Sequence, residues 1–367
     1  MAQPLDTSTF DLTGEASPVA EQVGSFRSYG YFSVSANGVL AYRSGTMLAH
    51  NSQLTWFDRA GKPQGQLGPA GHYNAVALSP DGKGAAFDAD DPQSGNRDIW
   101  LLDVARGVPQ RFTSNPAQDW FPVWSPDASK LLFASSRDGP FNIYQKASGG
   151  TVNEEALLKS DLNKYPLDWS PDGRSVIYQV VNPQTKSELW VVPLEAQRGT
   201  GSQKPGTPTP FLQTTFNETQ GQFSRGPEGA PVGAPRWVAY SSDESGSVQI
   251  YVQPFSKGAS GTGGKFPIST NGGSQPRWSA DGKELFYVAP DGNLMAVEVK
   301  LAPRFEAGVP KALFPTRILA GPYDRYLFRY AVAPDGKRFL INTQTQADEP
   351  NASPITVVVN WTAMLKR

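Results

Sequence analysis

One tetrapeptide returns along this chain at a near-constant spacing, and that return limits the fold more than any other feature. Ser79-Pro80-Asp81-Gly82 recurs as Ser125-Pro126-Asp127-Ala128 and Ser170-Pro171-Asp172-Gly173. Looser copies are Ser35-Ala36-Asn37-Gly38, Ser279-Ala280-Asp281-Gly282 and Ala333-Pro334-Asp335-Gly336. A seventh register point is Gln222-Phe223-Ser224, where a longer Gly/Pro-rich loop running to Arg236 replaces the tight turn. From Ser35 to Ala333 the steps are 44, 46, 45, 54, 55 and 54 residues. A period of this size marks a repeat architecture.

The residues of the unit explain its shape. Pro80 fixes φ for the first corner of a turn, Asp81 can bond nearby backbone N–H groups, and Gly82 tolerates positive φ. Apolar runs flank the turn: Pro122-Val123-Trp124 before one, Leu131-Leu132-Phe133 after it, and Val176-Ile177-Tyr178 after the next. That pattern is a hairpin. A third strand follows, as in Ile99-Trp100-Leu101-Leu102, Leu189-Trp190-Val191-Val192 or Ile250-Tyr251-Val252, then a shorter fourth, as in Gln110-Arg111-Phe112-Thr113. Four antiparallel strands per repeat make a propeller blade, so the expected fold is all-β: a single β-propeller over residues 1–367. Seven repeats give seven blades, beginning near residues 30, 74, 120, 165, 219, 274 and 328, with six or eight as alternative counts. The Trp before the turn (Trp124, Trp169, Trp278) is expected to fill the space between blades. Helix is expected to be negligible, with at most one turn within residues 153–160. The last repeat offers a third strand, Ile355-Thr356-Val357-Val358-Val359, and no fourth. A strand within residues 18–23 is therefore expected to complete the last blade, making residues 1–24 a ring-closing segment, while Met1 to Thr9 find no vacancy there.

Composition narrows the function. The chain has no Cys, which excludes a thiol nucleophile, disulfides and cysteine metal sites. Two His, His50 and His72, cannot build a polyhistidine metal centre, and neither lies near a Gly-x-Ser-x-Gly elbow that a serine triad would use. The formal net charge of −1 implies no basic surface for nucleic acid. The N-terminus lacks the basic and apolar regions of a secretion signal, and no run approaches the length that spans a bilayer, so membrane insertion is not expected.

Several stretches resemble a known family. Gly38-Val39-Leu40-Ala41-Tyr42-Arg43, Leu54-Thr55-Trp56-Phe57-Asp58-Arg59, Asp98-Ile99-Trp100-Leu101-Leu102-Asp103, Phe216-Asn217-Glu218 and Asn360-Trp361-Thr362-Ala363, together with the Ser-Pro-Asp-Gly hairpins, resemble the TolB-type, WD-like propeller repeat. More narrowly they resemble the C-terminal propeller of acidobacterial-type membrane-anchored serine/threonine protein kinases. The resemblance implies a sensor or interaction module outside the cytoplasmic membrane. This chain has neither kinase motifs nor a spanning helix, so phosphotransfer does not carry over, and the resemblance supplies no catalytic residues.

The functional expectation is a non-catalytic recognition or sensor module, monomeric, binding a protein, peptide or small ligand at the mouth of the channel. No cofactor and no metal are expected. All the Ser-Pro-Asp-Gly turns fall on one face of such a disc, and the candidate binding residues are read on the opposite face, five residues before each turn and beside those positions. They are Tyr73, Asn74, Asp119, Trp120, Lys164, Tyr165, Gln275 and Arg329, with His72, Thr219, Ser274 and Phe328 as neighbours. Aromatic and polar groups converging on a concavity suit recognition. Alternatives from other classes are a propeller hydrolase or lyase using channel carboxylates, and a structural spacer. Asp88-Ala89-Asp90-Asp91 could offer oxygen ligands to Ca²⁺, but it lacks the loop spacing of a calcium hand and reads as a solvated loop. Asn217-Glu218-Thr219 and Asn351-Ala352-Ser353 match a glycosylation sequon by letter only. Residues 201–209 and 259–264 read as flexible connectors.

Overall fold

The computed structural model describes residues 1–21, 23–26, 29–44, 52–91, 94–150, 153–196, 203–226, 235–256, 259–260, 264–318, 326–345 and 355–365. By contact it divides into two compact units, residues 52–344 and residues 1–51 with 345–367.

In residues 52–344 the repeat folds as its turn chemistry dictates. Ser79 N–H donates to Gly84 O at 2.8 Å and Gly82 N–H to Ser79 O at 2.9 Å. The Ser79 hydroxyl donates to Asp81 Oδ1 at 2.6 Å and accepts from Gly84 N–H at 2.8 Å, while Asp81 Oδ1 accepts from Lys83 N–H at 3.1 Å. The same bonds recur at Ser125-Asp127, Ser170-Asp172 and Ser279-Asp281. Ala128 stands at φ 58°, close to the 70° of Gly82, and accepts the strain that Gly avoids. In the fifth repeat, Ser224 N–H bonds Trp237 O across the longer loop, as the substituted turn requires.

Each hairpin grows into a sheet. Five sheets run in chain order from innermost strands Tyr73–Leu78, Asp119–Trp124, Asn163–Trp169, Glu218–Phe223 and Ser274–Trp278. A sixth is assembled from both ends of the unit: Tyr330–Val332 pairs with Arg338–Gln344, which pairs with Ser52–Asp58, which pairs with Pro63–Gly71. The six innermost strands touch in ring order and the last touches the first. Second strands such as Leu131 to Ala134 are buried on both faces because each sheet is sandwiched between two neighbours. Six apolar clusters fill the six gaps between sheets, and the turn-proximal Trp side chains sit there as expected. Trp124 Nε1 donates to Ala77 O, and Trp278 Nε1 to Gln222 O, each on the preceding sheet.

The β-propeller is therefore present, and its closure differs from expectation. The ring among the described residues has six sheets, the alternative count rather than seven, and its last sheet takes Ser52–Asp58 and Pro63–Gly71 in place of a strand from residues 18–23. The arithmetic of third strands explains this. The last hairpin takes Ser52–Asp58 across seven paired positions, from Arg338–Asp58 to Gln344–Ser52. Ile355–Val359, expected there, instead pairs with Val39–Arg43, so Phe32–Val34, Val39–Arg43 and Ile355–Val359 form a three-stranded sheet in the other unit. Any β-rich, Trp- or Val-bearing third strand satisfies the repeat pattern, and the pattern does not say which hairpin it joins. Among the described residues of 1–24 the pairing is by isolated bridges, Ala2–Ser17, Leu5–Leu12 and Val23–Ser44.

Two smaller readings are also corrected. Residues 153–160 contain the strand Glu155–Leu158, not a helical turn. The connectors at 201–209 and 259–264 contain short strands, Gln203–Pro205 and Ala259–Ser260, that pair with extended third strands. The described helix is one 3₁₀ segment, Trp361–Leu365.

Candidate functional site

The two ends of the channel are built from different parts of the repeat. At the end away from the turns, an aromatic cluster gathers Trp120, Phe121, Phe141, Tyr165 and Tyr326. Trp120 and Tyr165 stack with centroids 6.3 Å apart, Phe141 lies 4.4 Å from Trp120 and 5.4 Å from Tyr165, and Tyr326 lies 6.3 Å from Tyr165. Arg97 caps the Trp120 ring at 4.9 Å. Trp120 is 5% exposed and Tyr165 8%. The sequence brings these rings together as intended, but as a packed plug rather than an open rim.

The remaining candidates at this end are also built into the protein. Tyr73 is buried, its hydroxyl donating to Pro69 O at 2.6 Å. Asn74 is half-buried and donates to Asp90 Oδ2 at 3.3 Å. Asp119 is buried beside Arg137, 3.3 Å away. The Lys164 ammonium donates to Ser160 Oγ and to Leu162 O, and burial pulls its pKa down to about 8. Gln275 fastens neighbouring sheets: its N–H donates to Gln220 Oε1 at 2.8 Å, and its Oε1 accepts from Arg329 N–H at 2.7 Å. Gln220 and Gln275 occupy one position of the repeat, both at positive φ where a bulge turns the innermost strand. Innermost strands of neighbouring blades do not ladder with each other, and these amide side chains supply the missing bonds. Arg329 is likewise buried. His72 lies in the loop before the first sheet, while His50 and Asn351 fall outside the described residues. Asn217 is bonded to Asp243 through both its N–H and its side chain.

Carboxylates at this end are held in low-dielectric surroundings. Burial raises Asp88 to about 6, opposed by Arg97, which lies 3.6 Å from Asp88 and 2.6 Å from Asp90. Arg97 thus occupies the carboxylates that the calcium reading needed. Burial raises Glu218 to about 7, with a hydrogen bond from Thr214 opposing it and the Glu244 and Asp243 charges adding to it. No group of three or more potential metal-ligating side chains converges among the described residues.

The other end is open. A cavity of about 320 Å³ runs from the plug to the Ser-Pro-Asp turns, rimmed by Pro80, Pro126, Pro171 and Pro334 and walled by Trp124, Trp169, Trp278 and Phe328. Besides Ser79 and Arg225, its polar side chains come from one repeat position, two residues before the turn Ser. Three sheets place Ala77, Val123 and Ala331 there, while three successive sheets place Asp168, Gln222 and Arg277. Asp168 accepts from Phe223 N–H at 2.9 Å and pairs with Arg225 at 2.8 Å. Arg277 lies against the Phe328 ring, 3.8 Å from its centroid, and donates to Gln222 Oε1 at 3.0 Å and to Val76 O at 3.4 Å. The sequence reading missed these residues. The legible signal was a polar side chain at a repeat position that is otherwise apolar.

With this geometry in view, the comparisons are informative. The TolB beta propeller domain family (PD40) matches residues 58–203. An uncharacterized protein of Agrobacterium fabrum is 26% identical over 219 residues, covering 59% of this chain and 69% of that protein. The Tol-Pal system protein TolB of Francisella tularensis is 23% identical over 116 residues, covering 31% of this chain and 26% of that protein. A solved structure from Agrobacterium tumefaciens, reported as a TolB, superposes with a TM-score of 0.58 at 18% identity, covering 81% of this chain and 99% of that one. These likenesses show a TolB-like β-propeller fold. No helix among the described residues is long and apolar enough to cross a membrane.

Proposed function

We propose that this chain is a non-catalytic recognition propeller that binds a protein or peptide segment at the turn-side mouth of its channel. The observation that carries the reading is the asymmetry of the channel: one end is sealed by packed aromatic rings, and the other opens into a cavity with rigid proline rims and aromatic walls. Concave, preformed, mostly apolar sites with a few placed polar groups are what binding uses. Proline rims lose little conformational freedom when a partner docks, which favours affinity. Against the hydrolase or lyase alternative, Asp168 is the one carboxylate in the cavity lining among the described residues, and it is committed to Arg225. Paired-carboxylate chemistry needs two free to exchange protons.

The setting follows from likeness. Similarity to a Tol-Pal system protein supports an extracytoplasmic location and a protein partner; the propeller acts as a monomer in this reading. The kinase-linked origin is carried by the stretches quoted from the sequence.

The test is to obstruct one mouth at a time. Pro126→Arg with Pro171→Arg crowds the open mouth, and Gln118→Arg alters the plugged end without entering the cavity. Partners captured from the native extract by the unmodified chain should be lost by the first variant and kept by the second. Equal capture by both variants would move the binding surface elsewhere.

A further inference from the structure

Among the described residues the cavity holds an unbalanced positive charge. The charged lining residues among them are Asp168, Arg225 and Arg277. Asp168 and Arg225 neutralise each other at 2.8 Å. Arg277 forms no ion pair with a carboxylate among the described residues. Its acceptors are two neutral oxygens, Gln222 Oε1 at 3.0 Å and the distant Val76 O at 3.4 Å. Its Nε–H is shut away from solvent with no hydrogen-bond partner among the described residues. A guanidinium has five N–H donors in a fixed fork, so most of its capacity is unspent.

A cation this deep is costly unless something compensates it. Enclosure lowers the Arg277 pKa to about 10, with the Asp168 charge opposing that shift, so it stays ionised at neutral pH. What compensation exists is the Phe328 face at 3.8 Å, a cation–π contact that leaves the edge of the fork free. Gln222 is itself oriented by donating to Leu167 O at 2.9 Å, so its oxygen is aimed at Arg277 and fixes the fork in the cavity wall. The guanidinium is therefore held in place before any ligand arrives.

We propose that Arg277 is a carboxylate receptor, and that the segment entering the channel presents a carboxylate to it. This rests on the recognition reading of the same cavity and names the chemistry that reading left open. A carboxylate supplies the charge and the two acceptor oxygens that a planar fork accepts. The apolar walls strengthen the pairing by excluding water. The carboxylate can come from the C-terminus of a peptide or from an Asp or Glu side chain within it.

The experiment uses three degenerate hexapeptide pools passed over the immobilised full chain. One has free C-termini; one has amidated C-termini with Asp and Glu allowed; one is amidated and lacks Asp and Glu. Retention, read by mass spectrometry, should be at least tenfold greater for pools carrying a carboxylate than for the pool without one. The first two pools distinguish the source. Arg277→Gln should erase the difference, and Arg277→Lys should restore part of it, with circular dichroism verifying the fold. Equal retention of all three pools would overturn the carboxylate inference while leaving channel recognition standing. No retention of any pool, with or without Pro126→Arg and Pro171→Arg, would overturn both. The pool comparison needs no variant, so a misfolded Arg277→Gln protein leaves the inference testable.

Discussion

The two ends of the channel use the same repeat to opposite effect. At the turn end, four blades spend their residues on one hydrogen-bonded Ser–Asp motif, and the carboxylates of those turns are exposed or partly so. Asp81 is held below the usual carboxylate range, chiefly by the Ser79 hydroxyl and then by Lys83 N–H. Asp127 is pushed up by burial, but the bonds from Ser125 and Ser129 outweigh that and hold it low. At the plugged end, no motif is imposed, side chains differ from blade to blade, and the space fills with aromatic rings and buried acids. Asp88, Asp119 and Glu218 are all pushed up there, each mainly by burial. The lesson is that the invariant end leaves the channel open because its residues satisfy themselves locally, while the variable end closes because its residues can reach across the axis.

Breaking the plug should give the largest effect. Trp120→Ala or Tyr165→Ala removes a buried ring from a packed cluster, and each should cost about 3–5 kcal/mol in chemical denaturation. Binding by the protein that remains folded should be unchanged, because neither ring lines the open cavity. If either substitution weakens binding while the denaturation midpoint stays in place, the plug is a binding surface and the comparison is inverted.

A turn residue at the open end should matter less. Asp127→Ala removes the acceptor for Ser125 Oγ and Ser129 N–H at a site that water reaches. About 1 kcal/mol is expected, since solvent replaces the lost bonds. Ala128, already at positive φ, makes this the turn with the least slack. A loss as large as that from Trp120→Ala would mean that the turns, not the plug, hold the axis.

How much of this was legible follows the same division. The turn end could be read residue by residue, because Ser, Pro, Asp and Gly each have a local reason to be there. Trp124, Trp169 and Trp278 were also placed correctly, since a large ring beside a turn in a both-faces-buried strand has one place to go. Two things were not legible. Ser52–Asp58 and Ile355–Val359 are both acceptable third strands, so the period alone left the count between six and eight and pointed to a different closing segment. Trp120 and Tyr165 were expected at the channel mouth, with a plug as the plainer alternative to a binding rim, and the sequence does not say how far a ring reaches across a channel. Arg277 was not among the candidates because those were read about five residues before each turn, whereas Arg277 shares the position two before the turn with Asp168 and Gln222.

The smallest expected effect is also the most diagnostic, because it separates the two ends by the sign of their pH dependence. A carboxyl whose pKa is lowered by folding stabilises above its unfolded value and loses that contribution as pH falls. Asp81 and Asp127 at the turn end behave so. A carboxyl whose pKa is raised does the reverse: the folded state holds the proton longer, so its contribution is complete below the unfolded pKa and is lost as pH rises through the folded one. For Asp88 that loss ends near pH 6 and for Glu218 near pH 7. Between pH 6 and 8 the slope therefore belongs mainly to Glu218. Glu218→Gln keeps an oxygen for the Thr214 hydroxyl, which lies 2.6 Å from Glu218 Oε1, and removes the titrating proton. The variant should melt about 2 °C higher than the unmodified chain at pH 8, and the gap should narrow by pH 6, a shift of under ~1 kcal/mol for a chain of this size. Thermal melts at half-unit pH steps check this. A gap that widens toward acid would mean that Glu218 is ionised and paired in the fold, and that the plugged end is not the low-dielectric end.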